Sequence, residues 1–228
     1  NLKNIPNGVD TERFNAPNTN DERNALRKEL GFSKKDEIIL FVGMISYRKG
    51  IDTLISAWDK ISEKNKNAKL VLVGHRTDKT NKQIPNAFRD QAYMDSIDDL
   101  IHNSYAPDRV IFMGNKNNVE IYMKVSDLFV FPSRVEGMPN VVPEAMASGL
   151  SCLLMPFIGL PEEFGRPGRE YILVKRNSNE LASKVIEILR NDNLRKAIKE
   201  NAMKWVNKYL GVNKSLDEYE KLYRETAI

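Results

Sequence analysis

Cysteine is nearly missing from this 228-residue chain: Cys152 stands alone. A disulfide framework and a cysteine-rich zinc site are thereby excluded. Histidine is as scarce, with only His75 and His102, too few for most metal sites. Cys152 lies inside the apolar run Ser151 to Met155, which reads as a buried structural thiol and points to a reducing compartment. No apolar run approaches the roughly 20 residues of a membrane span. The start, Asn1-Leu2-Lys3-Asn4, has no apolar segment, so no signal peptide is expected. It also lacks methionine and reads as loop or short strand, which leads us to expect a fragment of a longer protein. Neither sign of charge dominates: 35 Lys and Arg oppose 31 Asp and Glu, a net +4 with the lysines dispersed. That balance suits an anionic partner and is far from a nucleic-acid-binding composition. Neither G-x-x-x-x-G-K-[ST] nor G-x-G-x-x-G occurs, which argues against a Walker-type phosphate loop and a dinucleotide dehydrogenase.

Hydrophobic residues make up 41% and charged residues 29%, which rules out disorder, collagen and coiled coil. A chain of this length can bury a core without metal or disulfide staples, and one large domain over 1–228 is the expectation. Six short apolar runs stand out: Ile38 to Val42, Leu70 to Val73, Val110 to Gly114, Leu128 to Phe131, Cys152 to Met155 and Tyr171 to Val174. Continuous apolar runs suit strands covered on both faces. Between and after them the spacing predicts helices over Asp21 to Leu30, Gly50 to Lys64, Ala87 to His102, Val119 to Val125, Pro143 to Ser148, Asn179 to Arg190, Leu194 to Tyr209 and Leu216 to Thr226. Ile51, Leu54, Ile55, Trp58 and Ile61 fall on one helical face. Trp58, Trp205, Met113, Met123 and Met146 read as packing residues, and His102 as structural. Strand–helix alternation of this kind predicts an α/β fold with a doubly wound, mostly parallel Rossmann-like sheet. Ligands bind such sheets at the carboxyl ends of the strands, so the segments after the strands are the ones to read for chemistry. The polar loop Arg76 to Pro85 is long enough to count as a candidate ligand loop.

The first such segment is Gly43-Met44-Ile45-Ser46-Tyr47-Arg48-Lys49-Gly50. Gly43 permits a sharp exit from the strand. Gly50 opens a helix whose free N–H groups offer an anion site, and Arg48 and Lys49 add two cations. A solvated basic loop would show the same residues. The second runs from Pro132 to Met146 and carries Glu136 and Glu144. One continuous helix would put these about 12 Å apart along its axis. Pro139 and Pro143 forbid that helix, and Pro143 is expected at the first helical position. Glu144 then sits in the first turn, where the dipole favours a carboxylate, and an ionised carboxylate suits sugar hydroxyls. Gly137 leaves room for a ligand to approach the backbone. First-turn stabilisation by Glu144 and a surface Glu136 is the plainer alternative.

The run from Pro132-Ser133 through Glu136-Gly137 and Pro139 to Glu144-Ala145-Met146-Ala147-Ser148-Gly149 resembles the donor-binding half of family 4 (group 1) retaining glycosyltransferases of the GT-B fold. Four other segments share the resemblance, in order: Ile5-Pro6-Asn7-Gly8-Val9-Asp10 with Phe14; Val42-Gly43 with Lys49-Gly50; Tyr122 with Ser126 to Ser133; and Gly159-Leu160-Pro161-Glu162. The resemblance covers nearly the whole chain. It implies a C-terminal domain that, with an N-terminal acceptor domain outside this chain, transfers a sugar from a UDP-, GDP- or ADP-sugar with retention of configuration and no essential metal. Lys49 would hold the diphosphate and Glu136 would face the transferred sugar. Gly43, Arg48 and the stretch Gly137, Met138, Pro139, Asn140 and Val141 would line donor and phosphates. Glu144 would accept from the ribose, Gly114 and Lys116 would border the base, and His75 and Arg76 would lie near the nucleotide edge. The implied acceptor is a glycan, a lipid-linked acceptor or a small molecule, with no nucleic acid. The implied place is cytoplasmic, with the membrane's cytoplasmic face open to the full-length protein. Alone, the chain is expected to transfer sugar poorly or not at all. Two departures matter. Met44 stands where the family usually has arginine, with Arg48 as a partial substitute, and Ile158 replaces one glycine of the later loop. They keep alternatives open: a non-catalytic nucleotide or sugar-phosphate module, a sugar-nucleotide epimerase, or a glucan polymerase on the same scaffold.

Overall fold

The computed structural model describes residues 5–226, so the expectation for Asn1 to Asn4 lies outside the described residues. Six strands, β1 (Glu37–Val42), β2 (Ala68–Val73), β3 (Val110–Gly114), β4 (Leu128–Phe131), β5 (Ser151–Leu154) and β6 (Ile172–Leu173), form one sheet in the order β3-β2-β1-β4-β5-β6. Every neighbouring pair is parallel. The apolar runs predict this: Ile38 to Phe41 and all of β4 and β5 are buried, as strands covered on both faces must be. β3 is an edge strand, and its residues from Val110 to Met113 are only half-buried.

The helices are α1 (Asn20–Glu29), α2 (Ile51–Lys64), α3 (Gln91–His102), α4 (Val119–Val125), α5 (Val141–Ala147), α6 (Ser178–Arg190), α7 (Asp192–Tyr209) and α8 (Val212–Thr226). Trp58 on α2 is fully buried and its indole N–H donates to the Ala106 carbonyl at 2.9 Å. Strand order reverses between β1 and β4, so the loops after these two strands flank the crevice where the sheet switches direction.

Several boundaries differ from the sequence expectation. α3 does not begin at Ala87: a short 3-10 turn covers Asn86–Phe88, and Asp90 then caps α3 by accepting from the Tyr93 N–H at 2.9 Å. An Asp side chain that bonds the backbone two or three residues on competes with helix continuation. α5 starts at Val141, so Pro143 is its third residue. Proline fits anywhere in a first turn, because those N–H groups lack intrahelical acceptors. β6 is two residues long, although Val174 still donates to the Leu154 carbonyl at 3.0 Å. Trp205 is only half-buried; its N–H donates to the Glu163 carbonyl at 2.8 Å and its ring lies 4.4 Å from that of Tyr209. His102 is exposed at the end of α3. Cys152 is buried, and burial pushes its thiol pKa up. Among the described residues, no helix is long and apolar enough to cross a membrane.

Candidate functional site

A short 3-10 turn (Tyr47–Lys49) follows β1, and Gly50 links it to α2 with φ of 71°. A Cβ there would stand 2.2 Å from the Pro132 carbonyl oxygen, so only glycine lets the β1–α2 loop press against the loop after β4. That approach brings Lys49 to Glu136, 87 positions away: Nζ lies 2.6 Å from Oε1. The same Oε1 accepts from the Ser133 hydroxyl at 2.5 Å. The two side chains are 12% and 6% exposed, so this is a nearly buried pair. The other oxygen, Oε2, has no hydrogen-bond partner among the described residues. Lys49 Nζ also lies 5.5 Å from the centre of the Phe131 ring, a cation–π contact.

Glu136 is held from behind. Its N–H donates to the Ile158 carbonyl at 3.1 Å, and the Ile158 N–H donates to the Arg134 carbonyl at 3.1 Å. The next residue, Gly159, has φ of 89°, and a Cβ there would meet the Glu136 carbonyl oxygen at 2.3 Å. The one glycine kept in that loop is therefore the one the close approach requires. Arg176, just after β6, donates to the carbonyls of Pro132 at 2.8 Å, Ser133 at 2.5 Å and Pro156 at 2.6 Å. Burial pushes its pKa down, with Arg134 adding to the effect.

The expected anion site at the start of α2 is filled from within the chain. Tyr93 accepts from the Asp52 N–H at 3.1 Å and donates to the Asp52 carboxylate at 3.0 Å. Arg134 grips the same carboxylate at 2.9 and 2.6 Å and stacks over the Tyr47 ring at 4.1 Å. Burial pushes the Asp52 pKa up, but the hydrogen bonds from Arg134 and Tyr93 outweigh it and hold the carboxyl below its usual range. These residues brace the loop.

A cleft of about 490 Å³ lies at the carboxyl edge of the sheet. It gathers Gly43, Lys49, Lys116, Pro139, Asn140, Val141 and Glu144 from the sequence-derived set. Glu136 joins through its pair with Lys49. Arg48, Gly114, Gly137 and Met138 do not line it, and neither do His75 and Arg76. Arg48 is exposed, and its carbonyl accepts from the Arg134 N–H at 2.9 Å. Met138 packs against the core and accepts through sulfur from the Asn7 N–H. Gly137 is exposed, with nothing within 4 Å of where a Cβ would stand. Arg76 is drawn to Asp98 at 2.6 Å and to Asp78, with its guanidinium over the Phe112 ring. The Arg76 to Pro85 loop contributes no residue to the cleft.

Glu144 is half-buried, and its carboxylate has no hydrogen-bond donor among the described residues. Burial raises its pKa, and Arg13 opposes that rise. Arg13 lines the cleft as well, anchored on Glu120 at 2.9 Å and the Asn117 carbonyl at 2.6 Å. The residue patterns single out none of Arg13, Arg134 and Arg176 for a role here, because each acts on a segment far away in the chain. Ser133 lies in the quoted run, but its bond to Glu136 three residues on is set by the loop's fold.

The strand order and this crevice, with Arg13, Lys49, Lys116 and Glu144 beside a helix start, define a doubly wound α/β domain with a charged cleft at the carboxyl edge of the sheet. The chain matches the family of glycosyl transferases group 1 over residues 22–205, and it belongs to that family. It is 27% identical to the N-acetyl-alpha-D-glucosaminyl L-malate synthase of Bacillus anthracis over 87% of this chain and 48% of that protein. It is also 27% identical to a GDP-mannose-dependent monoacylated alpha-(1-6)-phosphatidylinositol monomannoside mannosyltransferase of Corynebacterium glutamicum, over 86% of this chain and 49% of that one. The chain thus spans about half the length of the curated relatives it matches. In fold it resembles Anabaena HepE, solved with UDP and glucose, with a TM-score of 0.83 at 21% identity over 98% of this chain and 57% of that one. The sucrose-phosphate synthase of Thermosynechococcus elongatus gives 0.81 at 25% identity, over 97% and 51%. The six-stranded α/β architecture is that of GT-B glycosyltransferase structures.

Proposed function

We propose that this chain is the donor-binding half of a retaining glycosyltransferase and takes a nucleotide-diphospho-sugar in the cleft. The observation that carries the reading is Glu144, a half-buried acceptor left without a donor beside the Lys49–Glu136 pair. Burying an unsatisfied carboxylate is costly, and a ribose diol supplies the two missing donors. Lys49 then holds the diphosphate and stabilises charge on the leaving group, which is electrostatic catalysis without an essential metal. Glu136 keeps Oε2 free for the transferred sugar. Gly43 and the backbone from Pro139 to Val141 line the phosphates, with Lys116 at the cleft's other wall. The names of relatives support the donor class: one is GDP-mannose-dependent, and HepE was solved with UDP and glucose.

The acceptor, a glycan, a lipid-linked acceptor or a small molecule, would bind between this half and an N-terminal domain. α8 supports such a partner, since Leu216, Tyr219 and Tyr223 lie exposed along it. The full-length protein would work in the cytoplasm, at the membrane face when its acceptor is lipid-linked. Alone, the chain binds donor and transfers poorly. A second reading, a non-catalytic nucleotide module, is favoured by one observation: Met44 stands half-buried beside Gly43 where a second phosphate-binding cation would act.

Calorimetric titration with UDP, GDP, ADP and their sugar conjugates tests the proposal, using wild type, Glu144→Ala and Lys49→Ala. The expected result is micromolar-to-millimolar binding of one nucleotide family, weakened in both variants, and unchanged by chelator. No binding by either this chain or the full-length protein overturns it. Binding without turnover by the full-length protein selects the second reading.

A further inference from the structure

A second polar cavity, of about 440 Å³, opens at the opposite edge of the sheet, where β4 and β5 begin. Cations from three helices reach it: Arg23 of α1, Lys124 of α4, and Arg195 and Lys199 of α7. Three of the four have partners. Arg23 donates to the carbonyls of Val125 and Ser126 and to Asp127. Lys124 lies 3.5 Å from a Glu22 oxygen, and Arg195 bonds the Leu189 carbonyl and Asp192. Lys199 is different: its half-buried ammonium has no acceptor among the described residues. Among the described residues, the one carboxylate lining the cavity, Asp127, is spent on Arg23, Arg27 and the Ile38 N–H. Burial pushes the Lys199 pKa down and Arg23 and Arg195 push the same way, with Glu200 opposing.

Four cations thus border a solvent-sized space in which Asp127 is already engaged and, among the described residues, Lys199 is left without an acceptor. Such an arrangement costs free energy until an anion enters, and charge-assisted hydrogen bonds to a phosphate are the strong kind. We propose that this cavity binds an oxyanion of the phosphate class, with Lys199 as its principal ligand and Arg23 and Lys124 supplying the surrounding positive charge. The site is separate from the donor cleft, because the two lie at opposite ends of β4.

The test is titration of the 15N-labelled chain with inorganic phosphate, followed by amide shifts. Saturable shifts are expected at Ser148, Gly149, Leu150 and Ser151. Lys199→Gln should weaken that binding about tenfold or more, as loss of one charged hydrogen bond implies. Lys199→Arg should retain it, and Lys49→Ala in the donor cleft should leave it unchanged. Thermal melts check that each variant is folded. Shifts confined to the surroundings of Gly43 and Asn140, or an equal response in Lys199→Gln, overturn the proposal. Either result leaves the donor reading standing, since that rests on nucleotide binding to the other edge.

Discussion

Where β4 begins, Asp127 holds Arg23 at 2.7 Å, Arg27 at 2.6 Å and the Ile38 N–H at 2.7 Å; at the start of α5, beyond the strand's other end, Glu144 has no hydrogen-bond donor among the described residues. Both acids flank the same sheet, but one has its acceptor positions taken by the chain and the other has been left short. Arg27 is only 3% exposed, so the first arrangement is a buried ion cluster that ties α1 to the sheet. The second leaves charge to be completed from outside. The difference teaches how one fold divides its labour. The amino edge spends its acids on joining elements, whereas the carboxyl edge keeps acceptor capacity in reserve at Glu136 Oε2 and Glu144.

The largest effect should come from breaking the satisfied edge. Asp127→Ala leaves Arg27 buried without its counter-ion, and about 3–5 kcal/mol of stability should be lost in urea unfolding. A loss below about 1 kcal/mol would mean that carbonyl partners alone satisfy the two arginines. The pair at the other edge should be separable into a structural part and a binding part. Lys49→Met strands a nearly buried Glu136 and should cost about 1–3 kcal/mol. Adding Glu136→Gln to it should recover much of that loss, because both charges are then gone. Nucleotide binding should stay weak in both, so recovery of binding along with stability would contradict a phosphate role for Lys49.

The smallest effect is the most specific. Burial raises the folded-state pKa of Glu144 above its unfolded value. Its contribution to stability is therefore complete below the unfolded value near 4.5 and is lost as pH rises through the folded value. Glu144→Gln should melt slightly above wild type at pH 7, and the gap should close as the pH falls toward 4.5. Ligand binding should move the other way. Wild-type affinity for nucleotide should fall on acidification, beginning above the ordinary carboxylate range, while the Gln variant stays weak and flat. A pH-independent wild-type affinity would remove the ionised Glu144 from ribose recognition.

Much of this was legible in the residues. Ile38 to Val42, Leu70 to Val73 and Leu128 to Phe131 announced buried parallel strands, because only strands covered on both faces tolerate unbroken apolar runs at that length. Lys49, Glu136 and Glu144 were singled out as candidates, and the fold brings all three to one edge. The misses share a cause. Arg48 sits next to Lys49 in sequence but does not line the cleft, whereas Arg13 does line it from more than thirty residues away. The helix start at Asp52 looked open because nothing local shows that Tyr93 and Arg134 fold over it.

What the sequence determined by itself is the alternation of strands and helices, the family, and the short list of chemical candidates. These rest on local properties: apolar period, proline and glycine placement, and motif order. Which charge meets which was decided only in three dimensions. The Lys49–Glu136 pair, the Arg176 clamp on three carbonyls and the cluster around Asp127 all join segments that are far apart in the chain. An ion pair's partner is set by how loops and helices dock against one another, and that docking is a property of the whole packed core.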